Sequence, residues 1–334
     1  NESRTSHSFT LQKLHTHTHT MILRSLIRRG RGRLIRRMEL TTTDHSERPM
    51  SEKEKELGRL HREVRDAFAN GDFETAMTSA RDAESTAREM YGEEHPVLAS
   101  CMNNIGLLQK TQGFYDDAVK TFEEAARVYY HSVGPESRST ATTFHNLALC
   151  YKAVADRETS EHRKLSALDQ AQITFEDALK SCKVALGDDH PTTALSASGL
   201  ASVLRELAQR SNLKKKARKD MERAESLHME AFRSLESSEK HANSLAMATV
   251  ANNFAYHIKQ IQDEERYNDA VNLYLRAVET RLQRLSPTHP DTITARHNLA
   301  EMMIVLGRDE DAALIQEEIL RDLGYEEEGG GDAE

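Results

Sequence analysis

Between about residues 55 and 323, small and apolar residues return at fixed offsets within segments of helical period. The triplets Asn104-Ile105-Gly106, Asn146-Leu147-Ala148, Gly199-Leu200-Ala201, Asn253-Phe254-Ala255 and Asn298-Leu299-Ala300 each set a small residue where two helices must approach closely. A second pattern, Ala-x3-bulky-x2-Ala, follows each of the first four: Ala118/Phe122/Ala125, Ala171/Phe175/Ala178, Ala224/His228/Ala231 and Ala270/Tyr274/Ala277. Similar heads stand before the triplets. Three read Gly92-Glu93-Glu94-His95-Pro96, Gly187-Asp188-Asp189-His190-Pro191 and Ser286-Pro287-Thr288-His289-Pro290, and degenerate copies begin at Gly134 and Ser238. Proline just after a polar residue suits the first turn of a helix, where its missing N–H has no intrahelical partner to lose. The heads start at 92, 134, 187, 238 and 286, spacings of 42, 53, 51 and 48. Glycine followed by acids, as in Gly71-Asp72, Gly113-Phe114-Tyr115-Asp116 and Gly307-Arg308-Asp309, ends one helix and favours the start of the next.

The pattern predicts six helical hairpins, with helices at about 52–70 and 73–91, 95–112 and 115–132, 137–160 and 165–186, 191–210 and 218–237, 241–262 and 267–285, and 289–306 and 309–323. The extra residues of the longer repeats lengthen helices, since 154–170 and 205–223 contain neither Pro nor Gly. In these residues the chain resembles the tetratricopeptide repeat (TPR), with a Leu-Gly-like pair in the first helix and Ala-x3-Phe in the second. The 42-residue spacing and the His-Pro head resemble the longer repeats typified by kinesin light chain. The heptad segment that precedes the repeats of kinesin light chain has no counterpart between residues 51 and 91. The resemblance implies an all-α fold, a right-handed superhelix of stacked hairpins with a concave groove, and one cooperative domain over residues 51–323.

Composition agrees with helices and with water on many sides. Of 334 residues, 38% are hydrophobic, 30% charged and 5% aromatic, with no Trp. No apolar run approaches the roughly 18 residues of a membrane-spanning helix. Cys101, Cys150 and Cys182 form no CxxC pair, which argues against a zinc site or disulfide framework and for a reducing compartment.

The net charge of −9 joins two unlike parts. Residues 1–50 carry ten Lys/Arg against four Asp/Glu, leaving 35 against 50 for the remainder. Residues 21–38, with seven Arg, no acid and apolar residues near one helical face, read as a mitochondrial presequence or as part of a disordered basic tail. The presequence reading makes Met21 the expected initiator. The His-Thr alternation at 15–20 has spacing for a metal but no fixed geometry, and no metal or cofactor is expected. Residues 324–334 read as a disordered acidic tail.

No phosphate loop, dinucleotide turn, His-Glu-x-x-His pair or nucleophile elbow occurs, so no catalytic residue is expected. The Cys150/His145 pair, five residues apart on one helix, does not place its side chains face to face. His95, His190 and His289 recur once per repeat, as a structural head-turn residue would. The candidate ligand wall comes from the first helices. Its columns are Asn104, Asn146, Gly199, Asn253, Asn298; then Asn103, His145, Ser198, Asn252, His297; and a cationic column, Lys110, Lys152, Arg205, Lys259, broken by Ile304. Carboxamides both donate and accept, so they suit the backbone of an extended peptide, and cations suit acidic segments. The same side chains also suit bonds between adjacent helices or a solvated face. Lys214–Lys219, placed here in the connection of the fourth hairpin, read as a solvated helix end, an import signal or an anionic-surface contact. Aromatic residues do not interleave with these cations, so nucleic acid is not expected.

The reading is a non-enzymatic protein-interaction scaffold that holds an extended, acidic peptide, with a mitochondrial assembly or maintenance role if the presequence holds. The alternative is a cytoplasmic cargo adaptor of kinesin-light-chain type.

Overall fold

The computed structural model describes residues 50–325. The segment 21–38 read as a presequence, the His-Thr tract and nearly all of the acidic tail lie outside the described residues. Within them the fold is all-α: α1 (Glu52–Asn70), α2 (Phe73–Tyr91), α3 (Pro96–Thr111), α4 (Tyr115–Val133), α5 (Arg138–Arg157), α6 (Glu161–Leu186), α7 (Pro191–Arg210), α8 (Lys214–Glu236), α9 (Leu245–Ile261), α10 (Tyr267–Arg284), α11 (Pro290–Val305) and α12 (Asp309–Asp322). A 3-10 turn, Glu264–Arg266, precedes α10. These helices fall into two compact units that divide within α6, one reaching to Thr174 and the other starting at Phe175.

Side-chain caps mark the starts of α1, α2, α3, α5, α7, α9 and α11. Ser51 and Glu54 form a reciprocal capping box at α1, and Asp72, Ser137 and Ser244 accept from the N–H three residues on. His95, His190 and His289 share one role: each Nδ1 accepts from the N–H two residues on, at 3.2, 3.1 and 3.1 Å, and Pro follows as the first helical residue. The fifth head departs from the expected start at 241. It lacks the proline, its residues form a turn, and α9 begins only after Ser244 supplies a cap. Lys214–Lys219 likewise belong to α8 itself, because no Pro or Gly interrupts that run. Gly71 closes α1 at φ 76, a left-handed conformation that a side chain would strain.

In the first unit, Leu57, Leu60, Ala83, Ala87, Leu98, Cys101, Met102 and Ala125 form one core layer. Val64, Ala67, Ala76, Ala80, Ile105 and Leu108 form the next. The alanines of α2, three or four apart, leave a shallow stripe that lets α1 and α3 come close. The repeat aromatic Phe122 fills the space over Gly106, where an added Cβ would meet its ring at 2.9 Å. In the second unit, Phe254, Ile258, Ala270, Val271, Tyr274, Leu299, Ala300, Met302, Met303 and Ala312 make the main cluster. Hairpins pack side by side within each unit, first helix against first helix: α3 on α5, and α7, α9 and α11 in order. That contact line carries the polar columns.

Candidate peptide-binding wall

In the first unit the columns meet where α3 lies along α5. Thr143 Oγ1 donates to Asn103 Oδ1 at 3.2 Å, and Lys110 Nζ donates to Asn146 Oδ1 at 3.2 Å. Asn104 is buried. His145 is buried as well; desolvation first, and then the Lys110 charge, push its pKa down to about 3, so the imidazole is neutral. Burial also pulls Lys110 below the usual ammonium range. Lys152 is held along its own helix by Asp156. Thus Asn103, Lys110 and Asn146 are tied across two helices, whereas Asn104 lies inward and Lys152 pairs within α5.

The second unit repeats the arrangement with other chemistry. Asn253 Nδ2 donates to Ser198 Oγ at 3.1 Å, and Asn298 Nδ2 donates to Asn252 Oδ1 at 3.0 Å. Gln209 Nε2 reaches Gln260 Oε1 at 3.2 Å. Lys259 Nζ lies 2.7 Å from Glu301 Oε2, and His297 Nε2 lies 3.4 Å from Glu301 Oε1. The His297 hydrogen bond and the Lys259 ammonium overcome partial burial and hold the Glu301 carboxyl down at about 2. Arg205 is buried, its guanidinium 4.6 Å from the centre of the Tyr256 ring. It is therefore withdrawn into the wall.

Sequence patterns place these columns but not their lateral bonds. Glu301 was absent from the candidate residues, yet it neutralises Lys259. Its signal is position: it stands one turn before Ile304 on the same side of α11, where the cationic column breaks. Gly199 interrupts the Asn column because the Phe175 ring occupies the space a side chain would need. Beneath Arg205 lie His228 and His257, fully buried, with ring centres 5.3 Å apart. Burial drives the first well below the ordinary histidine range and the second to about 4.

Each of these asparagines uses one end of its carboxamide in its lateral bond. Asn103 and Asn146 accept through oxygen and keep amino groups that suit a peptide carbonyl, while Asn253 donates and keeps its oxygen for a peptide N–H. The thiols offer little reactivity, since burial pushes Cys101 up to about 12 and Cys150 and Cys182 to about 11. Among the described residues, no cluster of three or more His, Cys, Asp or Glu is placed to hold a metal, and no helix is long and apolar enough to cross a membrane.

Family models described as tetratricopeptide repeat match residues 60–130 and 262–291. The clustered mitochondria protein homolog of Homo sapiens is 28% identical over 134 residues, 40% of this chain and 9% of that protein. Its counterpart in Danio rerio is 32% identical over 98 residues, 29% of this chain and 7% of that protein. The chain thus spans less than a tenth of the curated relatives it matches. Among solved structures, BtubC (BKLC) from P. vanneervenii superposes with a TM-score of 0.52 at 17% identity, over 85% of this chain and 96% of that one. A putative kinesin light chain of Podosopora anserina, with nearly identical TPR-like repeats, gives 0.48 at 17% identity, over 70% and 99%. The first of these shows a shared fold.

Proposed function

We propose that this chain, a tetratricopeptide-repeat protein with repeats of the kinesin-light-chain type, is a non-enzymatic scaffold that holds an extended, acidic segment of a partner protein on the first-helix wall. One observation carries the acidic preference. Lys110 is drawn into the wall, donates to the neutral oxygen of Asn146 and forms no ion pair among the described residues. A cation held away from water beside a neutral acceptor lacks its counter-charge, and a partner carboxylate supplies one. In the first unit Asn103, Asn104, Asn146, Lys110 and Lys152 form the proposed contact set. In the second it is Asn252, Asn253, Asn298, Arg205 and Lys259, with Arg205 acting through Tyr256 and Lys259 shared with Glu301.

The test is panning of the full chain against a displayed library of random peptides. Selected sequences are expected to be rich in Asp and Glu, and Lys110→Glu should abolish that enrichment. Selection of apolar or basic peptides, unchanged by Lys110→Glu, would refute the reading.

A mitochondrial setting is supported by the Arg-rich segment 21–38 and by the name that the curated relatives carry. Fluorescent fusions beginning at Met21 and at Met50 decide it. Organellar signal in the first and diffuse signal in the second is expected; diffuse signal in both would favour the cytoplasmic adaptor.

A further inference from the structure

The fourth hairpin carries a feature that the wall does not use. Residues 214–219 hold five cations in six positions, and Lys214, Lys215, Lys216, Arg218 and Lys219 are all exposed. Arg218 pairs with Glu222, while Lys214, Lys215, Lys216 and Lys219 form no ion pair among the described residues. Next to them Leu213 is 67% exposed, more than any other large apolar residue described.

Its position is set by helix length. α7 and α11 start alike, with a capping His and then Pro, but α7 runs for 20 residues and α11 for 16. The additional turn carries α7 about 6 Å further. On α8 the repeat alanine, Ala224, stands ten residues beyond Lys214, whereas Ala270 and Ala312 stand three beyond the starts of α10 and α12. The seven added residues extend α8 by about 10 Å, and the whole cationic run falls within them. None of its cations is needed to pack one repeat on the next.

We propose that this hairpin tip is a docking site for an anionic phospholipid surface. The lysines match the headgroup charge, and Leu213 enters the boundary between headgroups and acyl chains while the lysine stems lie along it. A leucine at the apex favours lipid over the other polyanions. The one aromatic ring between residues 207 and 230, His228, is fully buried and cannot stack on bases. Each lysine near an anionic leaflet is expected to strengthen partitioning about five-fold.

The experiment is vesicle co-sedimentation of the full chain with its seven arginines in 21–38 changed to Gln, which removes the other basic segment. Vesicles of phosphatidylcholine with roughly 30% phosphatidylserine are compared with phosphatidylcholine alone. Binding to the anionic vesicles only is expected. Changing Lys214, Lys215, Lys216 and Lys219 together to Gln should weaken it by two to three orders of magnitude, on the order of five-fold per lysine. Leu213→Ser should weaken it several-fold, with helical circular dichroism unchanged in both variants. The proposal fails if the lysine variant binds as before. It also fails if Leu213→Ser has no effect while polyuridylate competes the protein off the vesicles, the outcome that marks a general polyanion site.

Discussion

The Phe175 ring lies where a side chain at position 199 would begin: a Cβ added to Gly199 would stand 2.5 Å from two of its carbons. Both residues belong to the second unit. Phe175 is the repeat aromatic of α6, and Gly199 is the member of the Asn column that gave way to it. Gly199→Ala should therefore destabilise the protein by about 1–3 kcal/mol through overpacking. Urea denaturation of Gly199→Ala with and without Phe175→Leu checks the cause, because the smaller side chain should return part of the loss. Equal loss in both backgrounds would place the cost in the helix backbone.

The capping histidines act through Nδ1 as an acceptor, which requires a neutral ring. Replacing His95 or His289 with Ala should cost about 0.5–2 kcal/mol, and with Asn much less, since Asn is itself a strong N-cap. Thermal melts of the four single variants measure the difference. Equal losses for Ala and Asn would show that the His95 ring, stacked on Tyr91 with centres 4.4 Å apart, matters for packing rather than capping.

Acid should loosen the second unit in a defined window. His228 and His257 both face Arg205 from α7, His257 also faces Glu225 from α8 and Arg266 beside α10, and both have depressed pKa values in the fold. The unfolded chain binds protons near 6.5 while the fold resists them down to about 4 at His257. Stability is thus full above 6.5 and declines as pH falls through that interval. His257→Gln should flatten the decline in pH-dependent denaturation; an unaltered slope would assign it to the carboxylates.

Glu301 titrates in the same sense from a lower starting point. Its folded carboxyl is held down at about 2, so its contribution is present above the usual 4.5 and is lost as pH falls between them. Glu301→Gln should remove that low-pH component and weaken the tie between α9 and α11. The effect should shrink in high salt, because the pair is partly exposed.

Lys110→Met separates stability from binding. The thioether fills a similar volume and removes a charge held from water without an anion, so the change should shift stability by less than about 1.5 kcal/mol while acidic-peptide selection disappears. A large loss of stability would mean that the bond to Asn146 holds α3 to α5.

Helix positions were legible because their signals are local. Proline after histidine, glycine before acids and alanine every three or four residues each constrain one turn, and the structure places most boundaries within a few residues of the expected ones. The fifth head shows the limit: without proline, Ser244 competes successfully with His241 to start the helix. The site was legible as columns only. Periodicity tells which residues share a face, but Asn298 meeting Asn252, or Lys259 meeting Glu301, depends on how far one hairpin slides past the next. No single repeat encodes that offset.

Those lateral bonds also make the hairpins non-interchangeable. Lys110 faces a carboxamide oxygen across its seam, Asn253 a hydroxyl, and Lys259 a carboxylate. If the order of two repeats within a unit were exchanged, apolar surfaces would still match, being mostly Ala and Leu. A donor would then meet a donor, or a cation an apolar wall. The polar seams therefore act as an address that gives each hairpin its place in the series.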